Sequence, residues 1–324
     1  MESDQSATPS SRDGSTNNIH LGLTDPKTTA PTPIGKIKTF ARLDRKERFF
    51  LLVSTINILV AVGLTIYSLV VVLKTDPESS DFTFTILLLI NAGFCIFYVV
   101  HGLFRERVYE IYALMAAMFV VTMYCVLEFG VNEEGRTTIK LVRMILAIVF
   151  TPPNYALGYF VAKAFGYVRF ETVAASAHLN QLYRQADIFS CLLKFDCQAS
   201  ISFMILVLKN GTDITVLEQV NLGLGIPYTL VWSVLGWFVL RRELKRWTWV
   251  LAGAGVAKPA YYVYKLIKMY AHLTDDTDSY SITIVWSRLA AGAIALISWF
   301  ILIAHLDIVQ RNFGKGLKEK ISKK

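Results

Sequence analysis

Two ionisable residues lie deep within long apolar segments of the sequence. Asp196 falls in the apolar segment 188–208, and Lys258 falls in the segment 247–269, next to Pro259. At about 1.5 Å per helical residue, they lie roughly 12 and 16 Å inside their segments, measured from the same side. Charged groups are costly at such depths in a bilayer and usually have a partner or face a wet cavity. The sequence therefore allows an Asp196–Lys258 ion pair near the middle of a membrane.

Two arginines lie near the opposite ends of other apolar segments. Arg143 belongs to segment 139–162 and Arg288 to segment 281–304. They could form a basic vestibule for an anionic solute or a lipid headgroup. Alternatively, they extend to the interface and pair with nearby carboxylates, which is the favoured interpretation because long cationic side chains commonly do so.

Three segments contain prolines that can kink or break a membrane-spanning helix. They are Thr151-Pro152-Pro153-Asn154, Gly225-Ile226-Pro227 and Lys258-Pro259. A proline leaves a backbone carbonyl without its helical donor. Kinked helices occur in inert bundles, but broken helices also form solute sites in transporters. Lys258 next to Pro259 therefore marks the best candidate for such a site.

No motif of a hydrolase, a nucleotide-binding enzyme or a metal centre is found in the sequence. The five histidines form no ligand cluster, and the four cysteines all fall in apolar runs, where they are typical small buried side chains. The sequence therefore predicts a protein that is not an enzyme and that binds no cofactor and no metal.

Eight apolar segments must position these residues. Of the 324 residues, 54% are hydrophobic and 18% are charged, and the mean hydropathy is +0.44, which is too apolar for a soluble domain. Segments of about 20 residues match a bilayer core and must be helical there. The sequence thus predicts an all-α polytopic transmembrane bundle over 41–306, between a disordered cytosolic tail (1–40) and a basic cytosolic tail (307–324). The segments are 49–73, 83–104, 109–129, 139–162, 188–208, 218–240, 247–269 and 281–304.

Basic residues are distributed very unequally between the two sides of this bundle. Lys and Arg number 21 at the termini and the connections on their side, against four on the opposite side. This bias predicts that both termini are cytosolic, in either the plasma membrane or an endomembrane. The net charge of +8 is then explained by anionic lipids of the cytosolic leaflet and does not indicate nucleic acid.

The tripeptide Asn210-Gly211-Thr212 is an N-glycosylation sequon. It falls in a connection that the charge bias places on the lumenal or extracellular side. Asn210 is therefore a candidate glycosylation site, although such tripeptides also arise by chance.

The second half of the sequence resembles the first at an offset near 139 residues. This offset places Arg45 on Arg184 and Asn57 on Asp196, and later in the chain Arg143 matches Arg288. A duplication of four segments would give two units, 45–166 and 184–314, with the same orientation. Chance similarity is the alternative, because membrane segments share a small alphabet. If the repeat is real, we expect a central site between the halves.

Residues 163–187 form the longest internal connection and mix aromatic, aliphatic and basic side chains. This composition is typical of an amphipathic helix that lies in the membrane interface.

One segment resembles an uncharacterised family of eukaryotic multi-pass membrane proteins. The similarity lies in Leu182-Tyr183-Arg184, Ile188-Phe189 and Leu192-Leu193-Lys194-Phe195-Asp196, with Arg241-Arg242-Glu243 at the following basic hairpin. It covers about 160–245. The resemblance implies a membrane fold and carries over no catalytic or binding residues.

Two classes of function fit these features. The interior charges and helix-breaking prolines favour a transporter or channel for a small, anionic solute, with Asp196, Lys258, Arg143, Arg288, Asn57 and Pro259 as candidate site residues. The short connections and the lack of a substrate motif favour a receptor, lipid-sensing scaffold or assembly factor. Fold alone does not decide between them.

Overall fold

The chain folds into a bundle of long helices, as the sequence predicts. The computed structural model describes residues 29–32, 35–38, 40, 43–75, 80–131, 137–173, 177–208, 216–275 and 282–314. Asn210 lies outside the described residues, as do 1–28 and 315–324, so its glycosylation and the character of those tail segments stay predictions. The helices are α1 (Arg45–Thr75), α2 (Ser80–Phe104), α3 (Val108–Val131), α4 (Thr138–Val173), α5 (Ala177–Leu206), α6 (Val216–Arg242), α7 (Lys245–Gly255), α8 (Ala257–Asp275) and α9 (Ile282–Arg311).

A short β-hairpin precedes the helices. Strand β1 (Thr29–Thr32) pairs antiparallel with β2 (Gly35–Lys38), with Thr29 opposite Lys38. In this stretch the structure has a hairpin in place of the predicted disorder. A two-stranded hairpin is at best marginally stable alone in water, so we assign it no part in holding the bundle together.

Seven of the described helices, α1 to α6 and α9, are long and apolar enough to cross a membrane. The remaining predicted span, 247–269, is divided into α7 and α8, which meet at Val256. Helix α7 has 11 residues, which is too few for a bilayer core that requires roughly 20. An eighth crossing stays a prediction, and it would have to be made by α7 and α8 in series.

Polar contacts show which helix ends lie together. At one end, Arg107 of the α2–α3 turn pairs with Asp187 of α5. There too, the amide of Gly314, just after α9, donates to Glu243 of the α6–α7 turn. At the opposite end, Lys140 at the start of α4 pairs with Asp81 at the start of α2. There too, Arg288 near the start of α9 donates to the carbonyl of Leu208, just after α5. Leu43, just before α1, belongs to the same core cluster as Leu103 at the end of α2. The start of α1 and the end of α9 thus lie at one end of the bundle, called the basic end because the α2–α3 and α6–α7 turns there carry arginines and lysines. Its cytosolic location stays a prediction.

The two halves have the same packing pattern. In the first half, α1 packs on α2, α2 on α3, and α3 on α4, which returns to α1. In the second half, α5 packs on α6, α6 on α7, and α7 and α8 on α9, which returns to α5. This pattern agrees with the predicted duplication, which stays a prediction at the level of superposed residues.

Helix α5 joins the halves. It packs on α6 and α9 of its own half and on α2, α3 and α4 of the first half. Its start extends the core toward the basic end, where Leu182 and Ala186 pack with Val309 and Phe313 of the α9 end. The prediction of an interfacial helix over 163–187 is therefore wrong at residues 182–187, because their apolar side chains face a protein neighbour. Likewise, α9 continues past residue 306, with Asp307 and Arg311 paired in its last turn.

Close packing of α9 gives a testable prediction at Gly292. A Cβ atom there would lie 2.7 Å from Leu266 Cδ2 and 2.9 Å from Phe203 Cε2. We expect Gly292→Ala to lower the free energy of unfolding by about 1–3 kcal/mol through overpacking. The matched control is Gly93→Ala, because a Cβ at that helical glycine meets nothing within 4 Å. Equal stability of the two variants in detergent unfolding would contradict the close approach.

Candidate functional site

The predicted Asp196–Lys258 ion pair is present in the structure. Lys258 Nζ donates to Asp196 Oδ2, and the two residues are 2% and 0% exposed. Asp196 belongs to α5, about 15 Å from the α5 end at Leu206 at 1.5 Å per residue. The sequence places a central site between the halves, whereas this pair joins α5 to α8, inside the second half.

The division between α7 and α8 places Lys258 at the start of a helix. Pro259 has no N–H group, so the carbonyl of Gly255 has no helical donor four residues later. Helix α7 ends at Gly255, and α8 begins at Ala257 with Lys258 in its first turn. The prediction of a break at Pro259 is thus confirmed, whereas the helices that contain Pro152, Pro153 and Pro227 continue through them.

Two aromatic side chains of α6 stabilise the end of α7. Trp232 Nε1 donates to the carbonyl of Leu251 at 3.0 Å, and the Tyr228 hydroxyl donates to the carbonyl of Ala254. These bonds supply donors to carbonyls of the last α7 turn. The division is therefore built into the α6–α7 contact.

Trp232 also covers the lysine. Lys258 Nζ lies 4.4 Å from the Trp232 ring centroid, within the range of a cation–π interaction. Gly255 permits this arrangement, because a Cβ there would lie 3.0 Å from the indole ring. The ammonium group thus contacts a carboxylate and an aromatic face at once.

The site retains unused hydrogen-bonding capacity. In the part of the chain that the structure describes, Asp196 Oδ1 and Thr229 Oγ1 are buried without a hydrogen-bond partner. Thr229 lies about one turn before Trp232 on α6, and Trp232 contacts Lys258. A buried unsatisfied polar atom costs about 1–3 kcal/mol. Asp196 Oδ1 can therefore accept a further hydrogen bond.

A second polar cluster joins the two halves near the basic end. Glu110, in the first turn of α3, accepts a hydrogen bond from Lys194 of α5 and is also bonded to His101 of α2. The His101 ring stacks on Phe97 with centroids 5.2 Å apart. Sequence reasoning missed this cluster, because its three residues belong to three different helices and meet only through the packing of α2, α3 and α5.

One protein-family model matches most of the chain. The model of the family described as Domain of unknown function (DUF7789) matches residues 34–163 and 173–307. The chain belongs to this family. No curated protein and no solved structure matches it. The DUF7789 match covers both halves, whereas the sequence resemblance covers only about 160–245.

The two DUF7789 ranges begin 139 residues apart, at 34 and 173. This spacing equals the offset that aligns Asn57 with Asp196 in the predicted repeat. Together with the shared packing pattern, it supports a duplicated four-helix unit. In the second half, the third apolar segment is divided at Val256 into α7 and α8, whereas α3 of the first half is continuous.

The other candidate residues do not join the Asp196–Lys258 site. Arg288 is buried and donates to the carbonyl of Leu208 at 2.6 Å, so it caps the end of α5. Arg143 is buried in α4 of the first half, and it also has interaction partners. Asn57 is half-buried on α1, which packs on α2 and α4. The structure thus separates the lysine site from the arginines.

Two cavities lie at the basic end. One, of about 10 Å³, lies between α5 and α9. The other, of about 410 Å³, opens beside the α6–α7 turn. The Asp196–Lys258 pair lines neither of these two cavities, and both residues are buried.

Proposed function

We propose that this DUF7789 protein is a transporter for a small anion, with Lys258 as the binding cation and Asp196 as its exchangeable counter-ion. The observation that carries the proposal is a fully buried lysine at the start of a half-helix, opposite a carboxylate with one unpartnered oxygen. The start of a helix favours anions, and divided helices form solute sites in transporters. No catalytic step is part of this proposal.

The pair gives a simple coupling mechanism. In the closed state, Asp196 neutralises Lys258. An incoming anion competes for the ammonium group, and the displaced carboxylate, buried among apolar helices, is then disfavoured as a charge. Asp196 therefore takes up one proton as the anion binds and returns it when the anion leaves. A monovalent anion and a proton would move together.

Anion binding is testable by thermal unfolding of the purified chain in detergent. Chloride, sulfate, inorganic phosphate and succinate are the probes. A ligand that binds the folded state at 100 times its Kd stabilises it by about 2.7 kcal/mol. We expect at least one probe to raise the unfolding temperature of the wild type, and to raise that of Asp196→Asn at lower concentration, because its competitor is removed.

Lys258→Met and Lys268→Met complete the experiment. Lys268 is an exposed lysine on the same helix, so its replacement should leave the anion effect intact, whereas Lys258→Met should abolish it. Lys258→Arg keeps the positive charge and is the control for loss of folding in Lys258→Met. An anion effect equal in wild type and Lys258→Met, or no effect of any probe on the wild type, would refute the assignment.

A non-transporting, lipid-sensing scaffold is the second candidate. It is favoured by one observation, the position of two cavities at the basic end and away from the lysine site. In that case Asp196 and Lys258 serve stability alone. Their replacement would then change the unfolding temperature without changing its response to anions.

A further inference from the structure

The α2–α3 and α6–α7 turns have the same backbone conformation. Glu106 and Glu243 both have positive φ, at 53° and 51°. Each donates its amide to the carbonyl three residues earlier, at 3.3 and 3.4 Å. The next amide in each turn donates five residues back, at 2.8 and 3.2 Å. The two turns are therefore equivalent elements of the two halves.

Their surroundings differ in charge. The helix after the first turn has Glu110 in its opening turn, which agrees with the helix dipole. The helix after the second turn, α7, begins with Lys245 and Arg246, has no acidic residue in its first turn and has no side-chain N-cap. Cations at a helix N-terminus are unfavourable, and the first amides there lack helical acceptors. A bound anion would correct both defects.

An open pocket lies where such an anion would bind. Its volume is about 410 Å³, and its basic lining residues are Arg242, Lys245 and Arg246. Small-molecule sites typically measure about 300–1,000 Å³. The Arg242 guanidinium lies 4.6 Å from the Phe238 ring centroid, which holds it beside the pocket.

The acidic residue of the pocket is engaged elsewhere. Glu243 Oε2 accepts the backbone N–H of Gly314 at 2.8 Å, which fastens the end of α9 to the turn. Its other oxygen, Oε1, is buried and has no hydrogen-bond partner among the described residues. The carboxylate thus faces the α9 end, and the basic side chains, which are exposed, define the charge of the opening.

Two exposed tryptophans indicate the source of the anion. Trp247, which lines the pocket, is 50% exposed, and Trp249 is 71% exposed. Tryptophan is enriched at the level of lipid headgroups. A second copy of the chain docked through the same turn is a poor occupant, because Arg242, Lys245 and Arg246 would face their own copies and repel them.

We infer that the α6–α7 turn binds an anionic phospholipid whose headgroup carries a terminal phosphate. Arg242, Lys245, Arg246 and the first amides of α7 contact the phosphate, and Trp247 lies at the headgroup level. The lipid belongs to the leaflet at the basic end. This site is independent of the proposed anion transport, because it lies at the bundle end and shares no residue with the Asp196–Lys258 pair.

The test measures binding of dioctanoyl phosphatidylinositol 4-phosphate to the full chain in detergent. Dioctanoyl phosphatidylinositol, inositol 1,4-bisphosphate and inorganic phosphate are the comparison ligands. Basic residues near a membrane surface contribute about 1 kcal/mol each, so Lys245→Gln with Arg246→Gln should weaken binding of the phosphorylated lipid at least about tenfold. The matched control removes two exposed lysines on other helices, Lys74→Gln with Lys268→Gln, and should retain the wild-type Kd.

Trp247→Ala separates a lipid from a soluble phosphate. It should weaken binding of the phosphorylated lipid and leave binding of inositol bisphosphate unchanged. All variants should keep the wild-type unfolding temperature without ligand, since the replaced side chains are exposed. Equal affinity for the lipid and the soluble phosphates, equal weakening by the control pair, or no saturable binding of the phosphorylated lipid would overturn the inference.

Discussion

Replacing Asp196 with asparagine or Lys258 with methionine is expected to lower the free energy of unfolding by about 3–5 kcal/mol, because each change leaves the other charge buried and unpaired. The pair is almost fully buried, at 0% and 2% exposure. Unfolding in mixed micelles of detergent and sodium dodecyl sulfate, followed by the fluorescence of the six tryptophans, measures the change. This is the largest effect that we expect from any single substitution in the bundle.

The double variant tests whether the two charges act together. Asp196→Asn with Lys258→Met should recover part of the loss, with a coupling of about 0.5–3 kcal/mol. Lys268→Met is the control, because it removes an exposed lysine from the same helix. Additive losses in the double variant would show that the charges are stabilised separately.

Replacing Glu110 with glutamine is expected to have the second largest effect, a loss of about 1.5–3 kcal/mol, typical of a hydrogen bond to a charged group. Glu110 is buried and bonded to both His101 and Lys194. The change leaves Lys194 without its carboxylate partner at the contact between α3 and α5. Since this contact joins the two halves, the same unfolding measurement should show the loss.

Asp307→Asn is the matched control for Glu110→Gln. It also turns a carboxylate into an amide, but Asp307 and its partner Arg311 are largely exposed. An exposed pair four residues apart on a helix contributes only about 0.3–0.5 kcal/mol. If the two variants lose the same stability, Glu110 does not hold the halves together.

The bundle and its ion pair could be predicted because both follow from the free-energy cost of placing polar and charged groups in a bilayer, which a single sequence is enough to assess. A bilayer requires long apolar helices, and a charge in their middle requires a partner. Asp196 and Lys258 satisfy this rule, and Pro259 marks the helix break. The Glu110 cluster could not be predicted, because its three residues meet only when α2, α3 and α5 are neighbours. The pattern of apolar residues does not show which helices are neighbours.

The interfacial-helix prediction failed because one sequence pattern fits two structures. The mixed residues of 182–187 suit a membrane interface, yet the same apolar face packs on Val309 and Phe313. For Arg288, the sequence left a vestibule and an interfacial pairing open, and its guanidinium donates to the carbonyl of Leu208. In both cases, the neighbouring helix decides the environment of the side chain.

Proton movement with an anion tests the central proposal most directly. Proteoliposomes that contain a pH-sensitive dye are given an inward gradient of the anion that stabilises the wild type. If Asp196 is protonated as the anion displaces it, the interior should acidify with the wild type and with Lys268→Met, but not with Lys258→Met or empty liposomes. Asp196→Asn should abolish proton movement even where it still binds the anion. Absence of acidification with a folded, anion-binding wild type, or acidification that persists in Asp196→Asn, would contradict the proposed mechanism.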